Sequence, residues 1–212
     1  MGDPSRTIWL CRHGNRRDFV DSQWRDAGRP FDSPLSDDGF EQARVLGRSF
    51  VGDQVDHLIC SPFTRCLQTA NEVAGLIDKP MHVEHGVGEL YFDEWFELPP
   101  KFSEAAALGR DFPRINTAYQ SVIRPQFPES EDDAWRRTSH AMQSLLGAFD
   151  GNLLIVAHGG SIWGMVRSLL GVDKPDIWVG LCCRIALVQD GRGWTMTDNG
   201  LESADRSAAR WV

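Results

Sequence analysis

No apolar run in these 212 residues approaches the roughly 20 needed to span a bilayer. The opening Met1-Gly2-Asp3-Pro4-Ser5-Arg6 lacks the hydrophobic stretch of a signal peptide, and Arg6 stands where a myristoylation motif on Gly2 wants Ser or Thr. Excess positive charge is missing too. A net charge of -8 argues against a general nucleic-acid or anionic-membrane binder, though not against one small cationic pocket. There are no internal repeats, no low-complexity tracts and no Gly-x-x-x-x-Gly-Lys phosphate loop. His, Asp and Glu nowhere show metal-ligand spacing. Cysteines number only five, Cys11, Cys60, Cys66, Cys182 and Cys183. Their odd count and apolar neighbours predict reduced core thiols, with Cys182-Cys183 as packing rather than a redox switch, in a cytosolic protein.

What remains is an ordinary globular composition, 42% hydrophobic and 25% charged, long enough for a single domain over 1–212. Ile8-Trp9-Leu10-Cys11 reads as a short buried strand, and Arg12-His13-Gly14 marks its end. Residues 16–33 are polar and contain Gly and Pro, a loop with at most one helical turn anchored by Phe19 and Trp24. Pro34 to Gly39 is turn chemistry leading into a helix that carries Phe40, Ala43, Leu46, Gly47 and Phe50. Val55 to Cys60 predicts a second strand, 63–77 a helix, and Met81-His82-Val83 a third strand.

Residues 86–124 are aromatic, Pro-containing and weakly periodic, a loop-rich cap or insertion. Ser130 followed by Glu131-Asp132-Asp133 is an N-cap with acids in the first turn of an amphipathic helix that Gly151-Asn152 closes. Leu153 to Ala157 is the most strand-like run, ended by His158-Gly159-Gly160, with a helix from Ile162 to Leu170 stopped by Gly171. Arg184 to Gln189 and Trp194 to Thr197 pair as a hairpin across Asp190-Gly191-Arg192-Gly193, and the last dozen residues look loose. The fold class this alternation predicts is α/β: a three-layer sandwich with a mostly parallel sheet, helices on both faces and an antiparallel edge.

Three strand ends carry the interesting polar residues: Arg12-His13, Ser61 to Arg65, and His158-Gly159. If those strands are neighbours, two imidazoles and two or three guanidiniums converge at the carboxyl edge of a sheet, where α/β proteins bind ligands. Arginine forks grip a dianionic oxyanion, and helix N-termini add N–H donors. Taken singly, Arg65 is as readily a helix-surface arginine, and His158 the polar end of a buried strand. The scattered His57, His82, His85 and His140 suit surface or capping roles.

Leu10-Cys11-Arg12-His13-Gly14, Cys60-Ser61-Pro62-Phe63-Thr64-Arg65-Cys66-Leu67-Gln68-Thr69-Ala70, Gly86-Val87-Gly88-Glu89-Leu90 and Val156-Ala157-His158-Gly159, in that order, resemble the histidine phosphatase superfamily with its phosphoglycerate-mutase-like fold. The similarity spans about residues 7–198 and is greatest to Sts-type tyrosine phosphatases and ecdysteroid-phosphate phosphatases, although Asn15 stands where that branch carries Glu. The resemblance implies His13 as the nucleophile that becomes a phosphohistidine. Arg12, Arg65 and His158 would clamp the phosphoryl oxygens, with Arg16, Asn15 and Gly159 as substrate contacts. Glu89, ahead of its neighbours Asp93, Glu94 and Glu97, would protonate the leaving oxygen and then activate water. No metal or other cofactor is implied, since arginines supply the positive charge. The partner would be a phosphorylated small molecule or phosphoprotein, without nucleic acid or membrane, in a monomer or a homodimer.

Two readings besides the phosphatase stay open: a phosphoglycerate-mutase-type phosphotransferase, which Asn15-Arg16-Arg17-Asp18 disfavours, and a catalytically silent phospho-ligand-binding module. A cysteine phosphatase is rejected, because Cys60 and Arg65 are one residue too close and enclose Pro62 but no Gly. The cap aromatics Phe92, Trp95, Phe96, Phe102, Phe112 and Tyr119 either meet an aryl or apolar leaving group or form a small core of their own.

Overall fold

The strand runs and helical periods resolve, in a computed structural model that describes residues 6–26, 28–103 and 105–201, into thirteen short elements. In chain order they are β1 (Arg6–Arg12), α1 (Arg17–Val20), α2 (Asp37–Arg48), β2 (His57–Cys60), α3 (Thr64–Ile77), β3 (Met81–Val83), a 3-10 turn (His85–Val87), α4 (Ala105–Asp111), α5 (Glu131–Ala148), β4 (Leu153–Ala157), α6 (Gly159–Leu170), β5 (Arg184–Asp190) and β6 (Gly193–Asn199). The opening residues with Gly2, and the C-terminal stretch expected to be loose, lie outside the described residues except for Leu201.

The six strands form one sheet in the order β3-β2-β4-β1-β5-β6. β1, β2, β3 and β4 run parallel, while β5 and β6 add the antiparallel edge as a hairpin. β4 lies between β1 and β2, with Cys11 opposite Val156 and Cys60 opposite the same residue. Three strand ends thus share one stretch of sheet edge.

Alternation along the central strands divides the core between two faces. Trp9, Cys11, Leu154 and Val156 face α2 and α3, packing against Leu46, Phe50, Leu67 and Val73. Ile8, Leu10, Leu153 and Ile155 face α5 and α6, against Met142, Leu145, Ile162 and Met165. The result is helix, sheet, helix. Among the described residues, no helix is long and apolar enough to cross a membrane.

Local chemistry sets the helix ends. Ser36 caps α2 by accepting the Gly39 N–H, and Ser130 with Asp133 makes a reciprocal capping box on α5. Gly171, at φ +66°, ends α6 in the left-handed conformation that glycine adopts without strain.

Three expectations need correcting. α6 begins at Gly159, not Ile162: the residue after β4 caps the helix directly, so the helix N-terminus lies at the sheet edge. The segment 86–124 contains α4, whose seven residues are too few to show a helical period. His82 and His85 are buried, not superficial, whereas His140 is exposed. His82 donates from Nδ1 to the Leu58 carbonyl, 3.2 Å away, and sits edge-on to Tyr119 and Phe149.

The loop after β1 is seated by a close approach of backbones. The Gly14 N–H donates to Thr69 Oγ1 at 3.1 Å, and a Cβ on Gly14 would stand 2.5 Å from the Gly39 carbonyl oxygen. A Cβ on Gly39 would collide with the Asn15 carbonyl. Helix propensity alone makes Gly39→Ala stabilising by about 1 kcal/mol. The collision reverses that sign: the variant should lose about 1–3 kcal/mol in urea unfolding, as overpacked sites do. A midpoint equal to or above that of the native protein would refute the contact.

Candidate active site

Each strand end delivers one charged or ionisable group. His13 follows β1 directly, its N–H donating to the Ala157 carbonyl of β4 at 3.1 Å. His158 follows β4 and caps α6, and Arg65 occupies the first turn of α3, which starts just beyond β2. Because β4 is the middle strand, the rings of His13 and His158 meet edge to face with centroids 5.3 Å apart. Glu89 arrives from beyond the sheet edge, past β3 and the 3-10 turn, to place Oε2 3.3 Å from Arg65 Nη2 and 3.2 Å from His158 Nδ1.

The ring of His13 is almost wholly enclosed. Nδ1 donates to the Gly14 carbonyl at 2.8 Å, which leaves the lone pair on Nε2, and Arg65 Nε approaches that nitrogen at 3.3 Å. Burial, then the Arg65 and His158 neighbours, push the His13 ring well below its usual pKa, so it is neutral. His158 is fully buried, and its burial brings it down to about 4 despite the facing Glu89 carboxylate. Its Nε2 takes the Ser61 hydroxyl at 2.7 Å. Burial alone would raise Glu89, but the His158 ring and the Arg65 guanidinium hold it well below the usual carboxylate range.

At this site two buried guanidinium nitrogens among the described residues lack a partner, Arg12 Nε and Arg65 Nη1. Leaving such donors unsatisfied is costly, and an anion in the cavity is what would satisfy them. The cavity they adjoin has a volume of about 540 Å³. Arg12, His13, Arg65, Glu89 and Gly159 line its floor, and Phe31, Trp95, Phe96, Trp135 and Trp163 its walls. The N-terminus of α6 opens onto it at Gly159, adding backbone donors to the same field.

His13, Glu89 and His158 also bring one ligand atom each within 4.8 Å of one another, a grouping invisible in the linear spacing. Arg12 and Arg65 beside it favour an oxyanion over a cation at this point.

The structure therefore brings together Arg12, His13, Arg65, Glu89, His158 and Gly159. Arg16 reaches the cavity wall, but its guanidinium is held by Asp18 and lies 4.4 Å over the Phe19 ring. Asn15 is turned away: its side chain donates to Asp38 at 2.8 Å and accepts the Arg16 N–H at 3.0 Å, which ties the loop to α2 and leaves it outside the cavity lining. Of the rival acids, Glu94 lines the cavity at an exposed position, while Asp93 and Glu97 are exposed outside it. The cap aromatics divide. Phe96 is buried with Phe63 and Tyr91 in a small cluster that Phe102 joins, Phe112 packs on the α3 side of the core, and Trp95 and Phe96 face the cavity.

Sequence reasoning missed Phe31, Trp135 and Trp163 as cavity walls, since Trp135 read as the apolar side of a helix. It also missed Asp32, whose carboxylate accepts both the N–H and the hydroxyl of Thr64 at 2.7 Å and so caps α3 beside Arg65. An acid in a long polar loop carries no signal of that role.

A family model described as the histidine phosphatase superfamily (branch 1) matches residues 8–201. The chain belongs to that superfamily. Phosphoryl transfer through a phosphohistidine is general to this family. Among its relatives, the transcription factor tau 55 kDa subunit of Saccharomyces cerevisiae is 28% identical over 182 residues, 80% of this chain and 42% of that protein. The ecdysteroid-phosphate phosphatase of Drosophila melanogaster is 27% identical over 206 residues, 79% of this chain and 27% of that protein. This histidine phosphatase chain thus spans less than half the length of either. In fold it is similar to the ecdysone phosphate phosphatase of Bombyx mori solved with tungstate, at TM-score 0.77 and 20% identity over 98% of each chain.

Two outcomes follow from this geometry. Inorganic phosphate should raise the melting temperature, because a ligand bound only by the native state stabilises it. Arg12→Met should abolish the shift, and a shift of equal size in that variant would remove Arg12 from the anion site. The neutral, buried His13 and His158 also make the fold acid-sensitive. As pH falls from about 6.5 towards 4, the unfolded chain takes up protons that these rings refuse. Stability should then drop by up to about 1.4 kcal/mol per pH unit for each ring, and above pH 6.5 these groups contribute no slope. Urea unfolding across this range checks it, and a flat profile would contradict their neutral burial.

Proposed function

We propose that this protein is a metal-independent phosphomonoester hydrolase that works through a phosphohistidine on His13, on esters with an aryl or apolar leaving group such as phosphotyrosine or a steroid phosphate. One observation carries the reading. A neutral imidazole with its lone pair on Nε2 lies beside two buried guanidiniums that each hold an unsatisfied N–H.

In the first step Nε2 of His13 attacks phosphorus, the bond from phosphorus to the ester oxygen breaks, and the leaving oxygen takes a proton from the Glu89 carboxyl. In the second step water attacks the phosphohistidine, Glu89 accepts the water proton, the P–N bond breaks, and phosphate and His13 are restored. Arg12 and Arg65 hold the equatorial oxygens, where charge spreads in a loose transition state, and His158 joins them through the Nδ1–H that faces Glu89 in the free protein. Glu89 is ionised in the free enzyme, so its proton enters with the substrate: an ester monoanion on ionised Glu89 has the same proton count as a dianion on the protonated acid. Neutralisation of Arg65 by the bound phosphoryl group lifts the carboxyl towards the range an acid needs.

The substrate class follows from the walls. Phe31, Trp95, Phe96, Trp135 and Trp163 suit a flat apolar group. A second phosphate or carboxylate on the substrate would need another cation, but Arg16 is already neutralised by Asp18, and Glu94 adds negative charge to the wall. That charge balance favours hydrolysis of simple monoesters over mutase chemistry on a bisphosphate. Likeness to the Drosophila ecdysteroid-phosphate phosphatase supports the same class. Residues 86–124 act in this reading as a cap within a single domain, and the odd number of cysteines fits a cytoplasmic setting.

The test is hydrolysis of p-nitrophenyl phosphate in EDTA by the wild type and His13→Ala, from about pH 4.5 to 8. Turnover should persist in EDTA and vanish in the variant by at least about a thousandfold. Activity that EDTA abolishes and a divalent ion restores would overturn the mechanism. Phosphate binding without turnover would make the chain a silent binding module.

A further inference from the structure

We infer that Arg137, with its partner Glu129, is a positioning residue for Glu89, an inference that rests on the acid–base role proposed above. Arg137 projects from α5 and is buried, although it touches neither His13 nor the cavity. A guanidinium has five N–H bonds, and here every one is used. Nε and Nη2 fork onto the Glu129 carboxylate, the second at 2.9 Å. Nη1 donates to the carbonyls of Gly86 at 2.8 Å and Gly88 at 3.3 Å, and Nη2 donates to the carbonyl of Glu89 itself at 2.7 Å.

Glu129 completes the grip from the other side of Glu89. Its carboxylate accepts the Tyr91 N–H at 3.2 Å, and its own N–H donates to the Tyr91 carbonyl at 2.9 Å. The pair therefore holds main-chain groups at 86, 88, 89 and 91, on a stretch where 88–91 is neither helix nor strand. Ser161 of α6 adds a hydrogen bond to the Gly88 carbonyl at 2.5 Å.

With its backbone fixed in this way, Glu89 presents its carboxylate to Arg65 from α3 and His158 from the end of β4, with the Arg12 charge of β1 also acting on the site. A buried Arg–Glu pair is a weak source of stability compared with apolar residues of the same volume. What a saturated, planar fork does supply is a fixed direction for three carbonyls. Misplacing a reacting group by about 1 Å can cost about a hundredfold in rate, so that direction matters to a proton donor.

The test compares kcat/KM on p-nitrophenyl phosphate, whose leaving group departs without a proton, with phenyl phosphate, whose leaving group needs one. Four proteins are compared: wild type, Glu89→Gln, Arg137→Lys and the double variant. Arg137→Lys should lose about tenfold or more on phenyl phosphate and under about threefold on p-nitrophenyl phosphate, with KM nearly unchanged. In the Glu89→Gln background it should cost nothing further, because both changes remove one function. Equal losses on the two esters, or losses that multiply in the double variant, would make the pair purely structural and overturn the inference. If Glu89→Gln itself shows no bias between the esters, the acid role fails and the positioning role falls with it. If Arg137→Lys does not fold, Ser161→Ala loosens the same segment: a bias of about threefold towards the better leaving group is expected, and its absence overturns the proposal.

Discussion

A buried positive charge that nothing in the protein fully answers is the constraint on which this structure turns. Arg65 is 1% exposed, and its guanidinium is shared among His13, His158 and Glu89 while one nitrogen stays without a partner. Burial pushes its pKa down, and the arginine holds charge there because its intrinsic basicity is so high. The electrostatics of the site follow from that charge. It adds to the burial that keeps the neighbouring imidazole of His13 neutral, joins the His158 ring in keeping Glu89 ionised, and makes the cavity floor a place for an anion. The surrounding architecture holds the charge in place: Asp32 caps the helix that carries it, Thr69 one turn further on fixes Gly14, and the parallel strands set His13 and His158 on either side.

Much of this could be read from the sequence, for identifiable reasons. Strands such as Leu153–Ala157 are buried on both faces and so appear as unbroken apolar runs. Ser130 and Asp133 announce the start of α5 because capping is a local interaction. The site was legible because it is built from strand ends, and a strand end followed by Arg-His-Gly or His-Gly shows a change in composition that the eye can find.

The remainder was not legible because it depends on distant partners. Gly159 and Gly160 read as breakers, yet they form the first turn of α6, where the sheet edge, not propensity, decides. Asn15 is implied as a substrate contact by the family resemblance, but Asp38 from another element claims it. His82 and His85 carry no apolar pattern of their own and are covered by Tyr119, Phe149 and Phe102 from far along the chain. The Arg137–Glu129 pair carries no motif in the sequence, and only the path of the segment 86–91 reveals that it faces inward.

The cavity has two kinds of boundary drawn from different parts of the chain. Its floor comes from the ends of β1 and β4 and the first turn of α3, locked by the register of the sheet, with Glu89 added from the segment beyond β3. Its walls come from Phe31 in one loop, Trp95 and Phe96 in another, and Trp135 and Trp163 on the outer helices. Reshaping the walls leaves the sheet edge untouched, and altering the sheet edge would disturb the core. The molecule is accordingly modular at the level of side chains: an engineer could re-target it by exchanging about five aromatic positions while the reacting groups keep their places.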